Sequence, residues 1–172
     1  MECNRAASDG RPRSYLMSKT SEITKLIHDN FWTVVSFAFA QPAIGKIINQ
    51  KFAGEWKYLH KSVYEDAEIR ADLALLEMAM QLRALDEADD LSDTFRQKEQ
   101  LPFGIVVQAD GSHTEMLFRE LTDKIVHGGR FEWRLCDPSH PKIVVISNQP
   151  EQWQHAEISI IALMRLVGGL MI

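Results

Sequence analysis

Asp123 and His127 stand four residues apart in Arg119-Glu120-Leu121-Thr122-Asp123-Lys124-Ile125-Val126-His127, a spacing that sets both side chains on one face of a helix. A carboxylate so placed orients an imidazole and favours its charged form, and a helix C-terminus acts in the same direction. Lys124, one turn before the histidine, offers a point charge that a phosphate can use. A histidine that moves the proton of an attacking 2′-hydroxyl, with a cation that stabilises a charged phosphorane, describes metal-independent RNA cleavage. The same histidine, followed by Gly128-Gly129, equally fits an ordinary helix C-terminus.

Other reactive residues are more scattered. Cys136, Asp137 and His140 fall at one turn and resemble a thiol with a nearby base, although a turn holds such groups loosely. The six histidines show neither His-x-x-x-His nor Cys-x-x-Cys spacing, so no metal and no cofactor is expected. Glycine-rich phosphate loops, nucleophile elbows and dinucleotide fingerprints are missing from the sequence. Asp86-Glu87-Ala88-Asp89-Asp90 reads as a solvated helix end. Trp32, Trp56, Trp133 and Trp153 read as core or interface anchors.

Several elements must position these groups. Ile23, Leu26, Ile27, Phe31, Val34, Val35 and Ala38 keep the helical period, so a first helix is predicted from Thr20 or Ser21 until Pro42 ends or kinks it. Its half from Phe31 to Ala40 is apolar nearly all round and should be surrounded by protein. A weaker helical stretch follows from about Ile44 to Leu59. The strongest helix is predicted over Asp66 to Ala88, rich in good helix formers. Ile69, Leu73, Leu76 and Met80 mark one of its faces, which Leu75, Ala79 and Leu82 widen. Beyond it, Phe103 to Val107 reads as a buried strand stopped by Asp110-Gly111. Ser112-His113-Thr114-Glu115 has capping-box spacing and should open the helix that ends at Gly128-Gly129. Arg130 to Cys136 and Lys142 to Ser147 make a hairpin, and a final helix is expected from Pro150-Glu151 through Leu166.

The run Asp123 to His127 resembles the helix signature of the HEPN superfamily, in a bacterial branch whose Arg/His motif is degenerate. The upstream run Leu75 to Glu87 is similar to the helix that precedes it in some bacterial members, and the hairpin and closing helix follow in matching order. The resemblance implies a helical bundle, often a homodimer with the signature helix near the subunit interface, serving in stress response or phage defence. Active members are metal-independent ribonucleases that pair an arginine with a histidine four to six residues later. His127 matches that histidine, whereas Thr122 occupies the arginine position and Asp123 that of a polar partner. The broken motif implies an interaction module without hydrolysis, acting on RNA or protein. The alternative is a ribonuclease in which Arg83, Arg119 or a partner-subunit residue supplies the cation beside Lys124. A structural subunit of a larger complex is a further reading.

Composition bounds the rest. The chain of 172 residues is 45% apolar and 25% charged with a net charge of −5, the balance of one globular domain without a basic field for duplex DNA. Cys3 and Cys136 provide no disulfide framework, which suits a reducing cytoplasm. Residues 1–17 read as a disordered tail, with Met17 as an alternative start, ahead of a single domain over residues 18–172. Phe31 to Gly45 is uncharged but shorter than the roughly 20 residues of a membrane span, so a core helix is expected there. The expected fold is mostly α: a bundle of four to five helices with three short antiparallel strands in the C-terminal third. Ile158, Ile160, Ile161, Leu163 and Met164 on the last helix, with the first helix, suggest a homodimer face.

Overall fold

The computed structural model describes residues 13–51, 54, 58, 61–89, 91–93, 102–137 and 139–170. Helix α1 (Arg13–Lys51) is followed by a π-helical turn (Lys61–Glu65) and helix α2 (Asp66–Asp89). Strands β1 (Gly104–Gln108) and β2 (His113–Met116) lead into helix α3 (Phe118–His127). Strands β3 (Gly128–Arg134), β4 (Lys142–Ser147) and β5 (Trp153–Ser159) precede helix α4 (Ile160–Gly169). The fold is mostly helical, as composition and periodicity indicate. Among the described residues it carries five strands, however, where the sequence suggests three.

All five strands pair antiparallel in the order β2-β1-β5-β4-β3. The strands expected at Phe103–Val107, Arg130–Cys136 and Lys142–Ser147 are β1, β3 and β4, within a residue or two. The other two replace expected helix. His113 to Glu115 does not open a helix; it returns from the Asp110-Gly111 turn to pair with β1, Val107 facing His113 and Ile105 facing Glu115. Gly111 sits at φ +82° in that turn, a conformation that glycine adopts without steric cost. Likewise, Trp153 to Ser159 is the central strand rather than the start of the last helix. Ala156 and Ile158 are buried and lie opposite Val145 and Ile143 of β4. That alternation with Glu157 and Ser159 is the period of a strand.

The edge strands β2 and β3 are joined by α3. Four strand spacings separate them, about 19 Å, and a ten-residue helix is about 15 Å long. With one linking residue at its start, α3 bridges the sheet from edge to edge. Phe118, Leu121, Thr122 and Ile125 are its buried residues. Leu117 precedes α3, and the Glu120 carboxylate accepts the Leu117 backbone N–H at 3.0 Å, so only the glutamate half of a capping box forms, five residues beyond the box that the sequence suggests.

α1 runs through Pro42 without ending and absorbs the first half of the expected second helix; residues 52–60 are otherwise outside the described set, apart from 54 and 58. It begins at Arg13, inside the expected tail, whose first twelve residues also lie outside that set. Ile27, Phe31, Val34, Val35 and Ala38 are buried, whereas Trp32 is 64% exposed and Phe39 45%. α1 packs mainly along α2, so one side is covered and the apolar half is not surrounded. The segment Thr20–Lys51 is long and apolar enough to cross a membrane by length and composition, with a third of its apolar window buried within the protein.

α2 turns a different face inward from the one its largest residues suggest. Ala71, Ala74, Leu75, Met78, Ala79, Leu82 and Leu85 are buried. Ile69, Leu73 and Met80 are 56%, 54% and 48% exposed. Three alanines on the inner face let neighbouring helices approach closely, and interior fit decides which apolar face is used. The expected dimer face on the last helix is consumed in similar fashion. Ile158, Ile160 and Leu163 are fully buried in the protein's own core, and only Ile161 and Met164 are exposed.

Candidate functional site

Asp86 is 8% exposed and closes the inner stripe of α2, one turn beyond Leu82. Its Oδ1 accepts the Ser92 backbone N–H at 2.6 Å and its Oδ2 accepts Arg119 Nε of α3 at 3.2 Å. The chain after α2 is thereby tied to α3 through one carboxylate. Asp86 is therefore a buried anchor and not part of a solvated helix end. Its phase marks it, because it stands four residues after Leu82 and seven after Ala79 on the buried side.

Around this pair lies an open groove of about 470 Å³, lined among the described residues by Arg83, Asp86, Glu87, Arg119, Glu120, Thr122 and Asp123. Two guanidiniums face four carboxylates there, so the groove carries a net negative charge and repels a phosphodiester. Arg83 and Arg119, separate in sequence, do meet here. Lys124 does not join them. Its ammonium lies 4.8 Å from the centre of the Trp153 ring and 3.4 Å from Asp123, with the side chain only 19% exposed. A lysine so placed spends its charge on the indole face and on its neighbour.

His127 Nε2 stands 3.6 Å from Asp123 Oδ1, on the shared face expected from their spacing, and its side chain is 61% exposed. The residue is not among those lining the groove. Thr122 is 3% exposed and its hydroxyl donates to the Arg119 carbonyl at 3.1 Å. The position at which the resemblance calls for an arginine is thus a buried threonine in the groove wall, while the histidine points to water. Nor does Gly128 close α3 as a left-handed cap: its backbone is extended, at φ −69° and ψ 154°. It is glycine for another reason, since a Cβ there would lie 2.2 Å from Val145 Cγ1.

A second groove, about 480 Å³, is lined by Arg134, Cys136, Asp137, His140 and Lys142. It gathers the turn residues that resemble a thiol and a base. His140 Nδ1 lies 3.1 Å from Asp137 Oδ2, and the Ser139 backbone N–H donates to Asp137 Oδ1 at 2.9 Å. The Ser139 N–H first, and then His140, hold the Asp137 carboxyl below its usual range. Cys136 is an exposed free thiol. Asp137 and His140 are both strongly exposed, at 62% and 76%, so water competes for every bond a nucleophilic pair would need.

Beside this groove Glu157 is gripped from two strands, by Lys142 Nζ at 3.0 Å and Arg134 at 3.3 Å. The Lys142 hydrogen bond, helped by the charges of Lys142, Arg134 and His155 and opposed by burial, holds its carboxyl below the ordinary range. Unfolded chain then binds the proton more readily than folded protein. The contribution is fully present above the unfolded-chain value and is lost as pH falls through the lowered one. Glu157→Gln should therefore be less stable than the parent near neutrality, with the two converging in acid. Urea midpoints measured against pH check this; parallel curves would show that the bridge contributes nothing. On α2, burial pushes the Asp72 carboxyl up, opposed by the Trp133 indole N–H that donates to it at 2.8 Å.

Trp133 also packs edge-on to Phe37 at 4.9 Å, and Trp153 is 4% exposed, both as anchors. Trp32 is exposed and Trp56 lies outside the described residues. Among the described residues no group of three or more His, Cys, Asp or Glu could hold a metal ion. No family model, curated protein or solved structure matches this chain.

Proposed function

We propose that this chain is a HEPN-like interaction module that does not hydrolyse RNA. The observation that carries the reading is the opposed placement of Thr122 and His127. The first is a buried threonine in the groove wall and the second stands in water outside that groove, so the Arg/His pairing on which hydrolysis depends lacks its arginine, and the two positions do not share one cleft. Two further features support it. Lys124 is turned onto Trp153, and Arg83 and Arg119 share their groove with an excess of carboxylates, so neither cation source is presented to a phosphate beside His127. The signature helix then serves as the strut that ties β2, β3 and α2 together, with Asp123 and His127 on its outer side.

One observation favours the ribonuclease reading: Asp123 approaches His127 and also lines the groove that holds Arg119. Incubating purified protein with mixed cellular RNA in EDTA, beside His127→Ala, separates the two. The expected result is no cleavage by either protein, with both folded. Metal-independent cleavage that disappears in His127→Ala would make the protein a nuclease and end the module reading.

A further inference from the structure

α2 has two apolar faces. The inner one is buried, and diametrically opposite it Ile69, Leu73, Leu76 and Met80 follow one another at spacings of four, three and four residues. Three of the four are about half exposed, and Leu76 is partly buried. That is the a/d spacing of a coiled-coil seam, and a contiguous exposed apolar stripe marks an interaction surface. Continued by the same spacing, the seam reaches Asp66 at one end and Arg83 at the other, both exposed. These ends are about 25 Å apart at 1.5 Å per residue.

We propose that this outer face of α2 is a homodimer seam on which a second copy of the chain packs antiparallel. The charges choose both the partner and its direction. A two-fold axis between Leu73 and Leu76 lays each Leu73 on the partner's Leu76 and each Ile69 on the partner's Met80. The same axis sets Arg83 against the partner's Asp66 at both ends. Arg70 and Glu77, exposed on one flank, fall between the same two layers, so each Arg70 meets the partner's Glu77. A parallel pairing would instead oppose Asp66 to the partner's Asp66 and Arg83 to the partner's Arg83. It would also bring Asp72 near the partner's Glu77, and like charges so placed select against that register. A helix from another protein would match this self-complementary pattern only by copying it. Because Arg83 also lines the groove of Asp86 and Arg119, the partner's Asp66 reaches the rim of that groove. The dimer does not depend on whether the protein cuts RNA.

The test uses the full chain in size-exclusion chromatography with light scattering at micromolar concentration, with circular dichroism to verify folding. The parent should show twice the chain mass of 19.7 kDa. Leu73→Glu should run as a folded monomer, since Leu73 is 54% exposed in one copy. Arg83→Glu should weaken association about tenfold through two symmetry-related contacts, and Asp66→Arg combined with Arg83→Glu should recover it. A monomeric parent, or a Leu73→Glu variant that stays dimeric, would overturn the proposal. A double variant as weak as Arg83→Glu alone would overturn the antiparallel pairing.

Discussion

Gly104→Ala is expected to cost at least about 3 kcal/mol of stability, because the added methyl overpacks a site with no room to relax. A Cβ at Gly104 would stand 1.8 Å from the Glu157 carbonyl oxygen and 3.1 Å from Ile158 Cα. Both obstacles are backbone of β5, the central strand, so no side-chain rotation opens the space. The sheet would have to part between β1 and β5 where Gly104 faces Ile158. Ile158 is fully buried, and the loss would therefore reach the core shared with the helices. With domain stabilities of about 5–15 kcal/mol, such a variant should populate unfolded chain at modest urea concentrations. Gly128→Ala is the useful contrast. Its closest obstacle is Val145 Cγ1, a side-chain atom that can yield partly, so the cost should be smaller. Urea midpoints at constant slope measure both. A Gly104→Ala midpoint within experimental error of the parent would mean that β1 and β5 do not approach as closely as described.

How far the sequence alone reveals this arrangement depends on which competing signal each segment carries. β1 and β4 are legible because Ile105-Val106-Val107 and Ile143-Val144-Val145 are β-branched runs bounded by turn residues, and β3 because Phe131 and Trp133 alternate with Arg130, Glu132 and Arg134. β2 is hidden because Ser112 and Glu115 reproduce capping-box spacing, and only pairing with β1 reveals the strand. β5 is hidden because Ile158 to Met164 is apolar at nearly every position, so the change from period 2 to period 3.6 at Ser159 leaves little trace. The Ser159 hydroxyl marks that change, accepting the Ala162 N–H at 3.3 Å. Helical phase brings Asp123 beside His127 without tertiary information. It cannot show that Lys124 turns to Trp153, because that contact joins α3 to a strand not expected there. The inner face of α2 eludes a reading by residue size, since three alanines outweigh Ile69, Leu73 and Met80 once close packing decides.

Asp86→Ala is expected to destabilise the protein by about 2–3 kcal/mol, the cost of stripping a buried donor of its charged acceptor. The Ser92 N–H would lose its 2.6 Å acceptor inside a residue only 6% exposed, where water is poorly placed to replace it. Arg119 would lose its 3.2 Å contact as well, but its side chain is 69% exposed, so its charge returns to solvent at small cost. Most of the penalty should therefore come from Ser92, and two comparisons expose that division. Asp86→Asn keeps an oxygen for the Ser92 N–H and should recover about half of the loss, since a neutral acceptor is roughly half as strong as a charged one. A double-mutant cycle of Asp86→Ala with Arg119→Ala should return a coupling of only about 1 kcal/mol. A coupling equal to the whole Asp86→Ala effect would instead place the anchor in the ion pair. The chain following α2 would then be held to α3 by charge alone, and salt should loosen the groove in proportion.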